Sequence, residues 1–307
     1  MSRSLLSILV PLYNEEQFIG SLLSRVLAVA LPGDLDREII VVDDCSTDNS
    51  VAIAEAIQSK HPDIIRLIRS EVNGGKGSAI HKAIEQARGE YCIIQDADLE
   101  YDPEDYPKLL RPLLDNRADA VFGSRFLSSA ERRVLYFWHS QANFFLTLAC
   151  NLVSDLNLTD METCYKAVRT SLLQSIPLHN KRFGFEPEIT IKLARRKARI
   201  YEVPISYNGR TYAEGKKIGL KDAFEALFTI ARYAFTQDLY RDKGQQILHA
   251  FSQAPNFNRW MADTIRPFLG PAVIEIGAGM GNLTRQLSPK RIRYVATDLE
   301  PEHLTRL

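Results

Sequence analysis

Two acidic residues, Asp96 and Asp98, directly follow an apolar run at 91–95 and could hold a divalent cation. Residues two apart in an extended strand point to the same side, so both carboxylates could face one hard ion such as Mg²⁺ or Mn²⁺. Phosphate oxygens and water would supply its other ligands. Two acids that merely end a strand at the surface give the same pattern, and the neighbouring motifs therefore decide between the two interpretations.

Polar motifs also follow the apolar runs that come before this one. Pro11, Tyr13 and Glu15 follow the first run, Asp44 follows the second, and a glycine–lysine–glycine sequence at 75–77 follows the third. An acid at the carboxyl end of a parallel strand can accept hydrogen bonds from a base or a ribose, while glycines let a phosphate approach the backbone. Four polar motifs at four successive strand ends predict a nucleotide-binding site.

The elements that must position these motifs alternate between short β-branched runs and longer helical patterns. The apolar runs predict strands at 6–10, 38–42, 64–68, 91–95 and 118–122. Continuous apolar strands separated by helices are typical of a mostly parallel sheet that is covered by helices on both faces. The sequence therefore predicts an α/β, Rossmann-like fold, which continues into a helix-rich region with one further strand at 199–205.

Composition and charge disfavour several other classes of protein. The 38 Lys and Arg residues balance the 38 Asp and Glu residues, so a strongly basic nucleic-acid-binding protein is disfavoured. The four cysteines form no C-x-x-C pair, which indicates a reduced, cytoplasmic setting rather than a disulfide scaffold. No apolar run is long enough for a membrane span. A cluster of arginines and aromatic residues at 132–138 suits peripheral contact with the cytoplasmic face of a membrane.

Taken together, these motifs resemble those of family 2 glycosyltransferases, which have the GT-A fold. The motifs are Val-Pro-Leu-Tyr-Asn-Glu at 10–15, Val-Asp-Asp-Cys-Ser at 42–46, Gly-Lys-Gly at 75–77, Asp-Ala-Asp-Leu at 96–99 and Gly-Ser-Arg at 123–125. Within the family, the chain is most similar to dolichol-phosphate mannose synthases and polyprenyl-phosphate glycosyltransferases, over about residues 5–240. The resemblance implies an inverting transfer of a hexose from a UDP- or GDP-linked donor to a polyprenyl or dolichyl phosphate, with Mg²⁺ or Mn²⁺ as cofactor. A soluble glycan or small molecule is the alternative acceptor.

The resemblance also implies roles for individual residues. The nucleotide-sugar site would comprise Pro11, Tyr13, Glu15, Asp44, Asp96, Ala97, Asp98, Arg125, Arg210 and Lys216. The residues that would hold the base and ribose are Pro11, Tyr13, Glu15 and Asp44. Asp96 and Asp98 would hold the metal ion, and Arg210 and Lys216 would close over the diphosphate. The serine that usually precedes this lysine is absent here, so the choice of Lys216 over Lys217 stays open.

Asp160, Asp98 and Arg125 are the catalytic candidates. Asp160 is placed where an inverting transferase could keep a base, but a phosphate acceptor is already ionised and needs little deprotonation. Asp160 could therefore position the acceptor instead. The alternative without a catalytic role is that Asp160 caps a helix and Glu162 is a surface acid.

The last segment carries a separate motif that resembles the start of class I S-adenosylmethionine-dependent methyltransferases. The matching residues are Glu275, Gly277, Gly279, Gly281 and, after the next strand, Asp298. The sequence thus predicts a GT-A domain at 1–240, a linker or connecting helix at 241–270, and a truncated methyltransferase-like start with a partial Rossmann-like βαβ segment at 271–307. S-adenosylmethionine would then be a cofactor only in a longer chain, and a bifunctional protein whose main activity is methylation is the alternative from another functional class.

Overall fold

The computed structural model of the chain describes residues 4–127, 133–134, 136–182, 184–210, 220–236, 251, 253–279 and 281–298. The chain divides into two units, Met1–Arg241 and Asp242–Leu307. None of the helices in the described ranges is both long and apolar enough to cross a membrane. The three-part division, with a linker at 241–270, stays a prediction.

The first unit is built on a seven-stranded sheet. Its strands are β1 (Leu5–Leu12), β2 (Asp36–Asp43), β3 (Ile65–Arg69), β4 (Tyr91–Ile94), β5 (Ala120–Ser124), β6 (Lys166–Arg169) and β7 (Ile200–Pro204). They lie in the order β3-β2-β1-β4-β6-β5-β7, and every pairing is parallel except the two that β6 makes. The central strands are buried along almost their whole length, as their continuous apolar sequences predict. The predicted α/β fold with a mostly parallel sheet is confirmed.

Helices connect the strands and cover the sheet. They are α1 (Ile19–Ala28), α2 (Ser50–Gln58), α3 (Lys76–Gln86), α4 (Tyr106–Leu114), α5 (Phe137–Ser154), α6 (Thr170–Ser175), α7 (Phe185–Arg195) and α8 (Leu220–Phe235). In α1, the residues Ile19, Leu22, Leu23 and Val26 recur at the three- and four-residue spacing that places side chains on one helix face, and all four are buried. That face packs into the same hydrophobic core as β1 and β2.

Strand β6 lies in the region where the sequence predicts mainly helices. It has four residues and begins with Lys166, which is buried and donates from Nζ to the carbonyl oxygens of Met161 and Thr163. A charged residue at the start of so short a strand removes the apolar run by which a buried strand is recognised. Because β6 runs antiparallel to β4 and β5, the segment before it lies at the edge where those two strands end. The segment 160–165 is thereby brought towards the acidic motif that follows β4.

A buried polar cluster joins α7 to α8. The Glu188 carboxylate accepts hydrogen bonds from Lys192 Nζ at 2.9 Å and from the Tyr233 hydroxyl at 2.7 Å. Its other oxygen accepts from the backbone and side-chain amides of Asn180 at 2.7 and 2.8 Å. Burial raises the pKa of Glu188, but the hydrogen bond and charge of Lys192 outweigh burial, so the pKa is lowered. A fully hydrogen-bonded carboxylate of this kind fixes α8 beside α7.

The second unit contains a small parallel sheet and helices. The sheet pairs β8 (Ala272–Ile276) with β9 (Arg293–Thr297). The helices are α9 (Pro255–Ile265), which precedes the sheet, and α10 (Thr284–Leu287), which lies between its two strands. This order of strand, loop, helix and strand is the predicted partial Rossmann-like segment.

Candidate functional site

At the carboxyl edge of the seven-stranded sheet, one arginine binds three acids. Arg210 Nη2 lies 2.7 Å from Asp98 Oδ2. Its Nη1 lies 3.2 Å from Glu15 Oε2, and its Nε lies 3.2 Å from Glu100 Oε1. Glu15 follows β1, Asp98 and Glu100 follow β4, and Arg210 follows β7. The ends of three strands therefore converge on one cluster, as the parallel topology predicts.

Sequence reasoning names three members of this cluster and misses the fourth, Glu100. The signal was available, because Glu100 continues the spacing of Asp96 and Asp98 by another two residues. Glu100 also accepts a hydrogen bond from the Tyr207 hydroxyl at 2.7 Å and another from the backbone N–H of Arg210 at 2.9 Å. Glu100 thus fixes the segment that carries the arginine.

Asp98 is more buried than Asp96 in the acidic motif that follows β4. Burial, together with the nearby charges of Asp96 and Glu100, raises the pKa of Asp98 to about 7, and the charge of Arg210 opposes this rise. The contribution of Asp96 means that the two carboxylates of the motif are close enough to repel each other. A cation placed between them would relieve that repulsion.

Asp96 is held by a second cation. Lys76 Nζ lies 2.9 Å from Asp96 Oδ1 and 3.0 Å from Glu186 Oε1. Burial lowers the pKa of Lys76, but the charges of the two acids outweigh burial and hold it well above its usual value. Lys76 therefore stays charged and links the motif after β4 to the first turn of α7.

Asp96 and Asp98 fit the requirements of a hard divalent ion. Carboxylate oxygens are the ligands that Mg²⁺ and Mn²⁺ prefer, and each of these two carboxylates already attracts a cationic side chain. Within the described part of the chain, no group of three or more His, Cys, Asp or Glu side chains is arranged to hold a metal ion by itself. The pair therefore suits an ion that takes its remaining ligands from a bound diphosphate and water.

Asp44 is bound to the glycine loop that follows β3. Its Oδ1 accepts the N–H of Gly74 at 2.9 Å, and its Oδ2 accepts the N–H of Gly75 at 2.6 Å. Gly75 has a φ of 91°, and a Cβ there would lie 2.7 Å from the carbonyl oxygen of Lys181. Asp44 thus orders the loop that presents Lys76. Its role in binding a base or ribose stays a prediction.

The segment that follows β1 forms a rim beside Asp44. Tyr13 is 42% exposed on this rim, whereas Pro11 belongs to β1 and Ala97 is buried beneath the acidic motif. Asn14 has a φ of 51°, and its Oδ1 accepts the N–H of Thr47 at 2.8 Å. This contact ties the end of β1 to the end of β2 and fixes the segment that carries Tyr13.

Arg125 follows β5 and forms an ion pair with Asp160. Its Nε and Nη2 donate to Asp160 Oδ2 and Oδ1, both at 2.7 Å, and its backbone N–H also donates to Oδ2 at 3.0 Å. The Asp160 side chain is fully buried, and it precedes a strand rather than a helix. Both oxygens of Asp160 bind Arg125. This geometry favours a positioning role for Asp160 over a role as a base.

Glu162 lies two residues beyond this ion pair, and the structure does not make it a surface acid. Its Oε1 atom is buried and has no hydrogen-bond partner among the described residues. Burial and the charge of Glu186 raise the pKa of Glu162 to about 8, while the charges of Lys166 and Arg125 oppose the rise. Sequence reasoning offered Glu162 only as a surface acid, because a lone acid in a loop has no spacing signal of its own.

Lys216 lies outside the described residues, so its part in closing over a diphosphate stays a prediction. Six of the other predicted residues form three groups in the structure. Glu15, Asp98 and Arg210 are in direct contact, Asp96 is joined to α7 through Lys76, and Arg125 pairs with Asp160.

The glycine loop of the second unit has the backbone geometry that its sequence predicts. Gly277, Gly279 and Gly281 have φ values of 73°, 53° and 75°. The N–H of Gly279 donates to Asp298 Oδ2 at 2.7 Å, and Glu275 Oε2 accepts from the hydroxyl of a tyrosine on β9 at 2.9 Å. The predicted acid therefore lies against the loop. Binding of S-adenosylmethionine there stays a prediction.

Solved structures of glucosyl-3-phosphoglycerate synthase from Mycobacterium tuberculosis are similar to this chain. The complex with Mn²⁺, uridine diphosphate and glucosyl-3-phosphoglycerate has a TM-score of 0.57 at 21% identity, covering 79% of this chain and 82% of that one. The complex with uridine diphosphate has a TM-score of 0.58 at 21% identity, covering 77% and 82%. The likeness defines the fold: the first unit has the GT-A fold of glycosyltransferases.

The chain belongs to glycosyl transferase family 2, whose sequence model matches residues 7–176. It is 30% identical over 228 residues to a dolichol-phosphate mannosyltransferase from Pyrococcus furiosus, covering 74% of this chain and 62% of that protein. A dodecaprenyl-phosphate galacturonate synthase from Rhizobium johnstonii is 26% identical, covering 75% and 66%. An undecaprenyl-phosphate mannosyltransferase from Micrococcus luteus is 31% identical, covering 69% and 86%. The matched part of this chain spans less than two thirds of the length of the first two relatives. The match to the family's sequence model confirms the predicted family.

Proposed function

We propose that the first unit is an inverting, metal-dependent glycosyltransferase that moves a hexose from a nucleotide diphosphate sugar to a polyprenyl phosphate. The observation that carries this proposal is the convergence of Asp96, Asp98 and Arg210 at one edge of the sheet. The curated relatives, which are named for transferases of dolichol phosphate and undecaprenyl phosphate, support the class of acceptor. The similar structure that contains Mn²⁺ and uridine diphosphate supports the metal and the donor.

On the donor side, the residues at the strand ends bind the nucleotide diphosphate. Tyr13 and Asp44 bind the base and the ribose. Asp96 and Asp98 would hold the metal ion, which supplies positive charge to the departing diphosphate. Arg210 adds a second positive charge and stabilises the negative charge that develops on the leaving group.

On the acceptor side, Arg125 binds the phosphate that attacks the sugar. Asp160 positions its guanidinium group through two hydrogen bonds of 2.7 Å. A phosphate oxygen bonds to the anomeric carbon as the bond from that carbon to the donor diphosphate breaks, and attack opposite the leaving group inverts the configuration. The phosphate is ionised at neutral pH, so Asp160 is not required to take a proton.

A ligand panel followed by a transfer assay tests this proposal. We expect UDP- or GDP-sugars with Mn²⁺ to raise the Tm, because a ligand at 100 times its Kd adds about 2.7 kcal/mol to the stability of the folded state. The sugar that stabilises the protein should then be transferred to a short-chain polyprenyl phosphate and not to the matching alcohol. Preferential transfer to free sugars or phosphate-free glycans would instead support the soluble acceptor. Absence of stabilisation by every nucleotide sugar would contradict the proposed donor.

An exposed apolar surface on α5 and α8 supports a lipid acceptor. These two helices pack against each other. Their exposed apolar side chains, which we call the α5/α8 surface, are Phe137, Trp138, Phe144, Phe145, Leu148, Leu152, Phe224, Leu227, Phe228 and Phe235. Exposed aromatic and aliphatic side chains on neighbouring helices are typical of a surface that contacts another apolar phase. We propose that this surface lies on the cytoplasmic face of a membrane, where the exposed Arg133 faces anionic headgroups.

Replacing Trp138 and Phe228 together by serine should weaken binding to vesicles of phosphatidylcholine and phosphatidylglycerol by about a hundredfold or more. Both side chains are more than two thirds exposed, at 78% and 71%, and each would lose the apolar contact that stabilises the bound state by about 1.5 kcal/mol or more. Co-sedimentation with vesicles measures the effect. Trp260→Ser is the matched control, because this tryptophan is 63% exposed but belongs to the second unit. Equal sedimentation of the wild type and the double variant would refute the membrane surface.

A further inference from the structure

Glu162 is a partly buried titratable group that the mechanism above leaves without a role. Its Oε1 has no hydrogen-bond partner among the described residues, and the same is true of Thr163 Oγ1 and Asn143 Nδ2. A buried polar atom without a partner costs free energy, roughly 1–3 kcal/mol for a neutral group. Asn143 and Glu162 both interact with Arg125, so their unpartnered atoms beside the Arg125–Asp160 ion pair indicate a polar ligand that completes their hydrogen bonds.

Helix α5 joins these atoms to the α5/α8 surface. Asn143 Oδ1 accepts a hydrogen bond from Arg125 Nη2 at 3.3 Å, and Thr147 Oγ1 accepts the N–H of Met161 at 3.2 Å. The inner face of α5 thus contacts the segment that carries Glu162, while its outer face carries exposed aromatic residues. A lipid whose chain rests on the outer face would present its phosphate to the polar atoms on the inner face.

The charged groups that face Glu162 determine its protonation. They come from four different elements: Glu186 from α7, Lys166 from β6, Arg125 from the end of β5, and Asp160 from its own segment. The Cys150 thiol of α5 also faces Glu162, but burial raises its pKa to about 12, so it stays neutral. Burial and the two acids disfavour the charged form more than the two cations favour it, so the pKa of Glu162 is about 8. A phosphate monoester loses its second proton near a pKa of about 6. At pH 7 the proton therefore stays on Glu162 and the phosphate is a dianion.

We infer that Glu162, as a neutral carboxylic acid, donates a hydrogen bond to the phosphate of the acceptor. This inference rests on the proposed function and adds a residue that selects a phosphorylated acceptor. The carboxyl proton remains on Glu162 while the phosphate dianion attacks, so no proton is transferred in the step. An ionised carboxylate at this position would repel the phosphate, and an alcohol would leave the donors of Arg125 and Asn143 incompletely bound.

Acceptor affinity as a function of pH tests this inference. Above pH 8, the wild-type acceptor KM should rise by about tenfold for each pH unit, because Glu162 must first regain its proton. In Glu162→Gln the amide donates at every pH, so this rise should disappear and the variant should bind the acceptor about tenfold more tightly than the wild type at pH 9. Glu162→Ala should raise the acceptor KM about tenfold at pH 7. The assays use the full chain with Mn²⁺ and the nucleotide sugar that stabilises it.

Two acceptors and a control variant separate the outcomes. A short-chain polyprenyl phosphate and soluble glycerol 3-phosphate distinguish a lipid source of the phosphate from a free one. Glu55→Gln, the same change at an exposed residue of α2, should reproduce the wild-type profile. The inference is overturned if Glu162→Gln keeps the wild-type rise in KM, or if it loses turnover a hundredfold or more with an unchanged KM, as the loss of a base would produce. Failure of the wild type to use any phosphorylated acceptor would instead overturn the proposed function.

Discussion

Replacing Asp98 by asparagine should lower kcat/KM for sugar transfer by about a thousandfold, which corresponds to roughly 4 kcal/mol of transition-state stabilisation. Asparagine has nearly the same size but lacks the negative charge that attracts Arg210 and that would hold the proposed divalent ion. The diphosphate would then leave with less positive charge around it. Steady-state transfer assays at saturating Mn²⁺ measure the loss, and the Tm shift produced by the nucleotide sugar should shrink in parallel.

The matched control for this variant is Asp63→Asn. Asp63 is exposed and lies just before β3, at the edge of the sheet away from the strand ends that form the site. We expect this change to leave both kcat/KM and the Tm shift at wild-type values. If Asp98→Asn kept more than about a tenth of the wild-type kcat/KM, the role of this carboxylate in the proposed mechanism would be wrong.

Replacing Arg125 by methionine should lower the free energy of unfolding by about 3–5 kcal/mol. Asp160 has no exposed surface, and among the described residues the side-chain hydrogen bonds that it accepts come from Arg125. Methionine fills a similar volume but leaves the buried carboxylate without a cation. Urea denaturation followed by circular dichroism at pH 7 measures the change.

A second variant tests the physical reason for this loss. Arg125→Met combined with Asp160→Leu removes both charges, and we expect it to recover most of the lost stability, because no unpaired charge remains buried. Arg117→Met breaks an exposed ion pair with Asp115 and should lower the free energy of unfolding by less than about 1 kcal/mol. If Arg125→Met lowered the free energy of unfolding no more than Arg117→Met does, the Arg125–Asp160 ion pair would not stabilise the fold.

The donor side of the site follows from local sequence because it is built from strand ends. Continuous apolar runs predict parallel strands, and parallel strands bring the polar residues that follow them to one edge. This reasoning places Glu15 beside Asp98 before any coordinates are known. Arg210 is different, since no periodicity indicates it and only the family resemblance does. Lys76 belongs to the glycine–lysine–glycine motif of the predicted nucleotide site, and the structure shows that it joins Asp96 to Glu186.

The acceptor side depends on contacts between residues that are distant in the sequence. The ion pair of Arg125 and Asp160 spans 35 residues, and no spacing rule predicts it. Strand β6 begins with a buried lysine, so it lacks the apolar pattern of its neighbours. The pKa of Glu162 is raised by burial and by Glu186 of α7, a helix that begins more than twenty residues later. Such properties follow from packing and are not encoded in any one segment.

The cluster around Arg210 contains more negative than positive groups. Four carboxylates after β1 and β4 share two cationic side chains, Arg210 and Lys76. A nucleotide sugar is itself an anion, and this surplus of negative charge repels it as long as no ion of opposite sign is present. The expected consequence is kinetic: under the proposed function, substrate addition should be ordered, with the nucleotide sugar entering only after the metal ion.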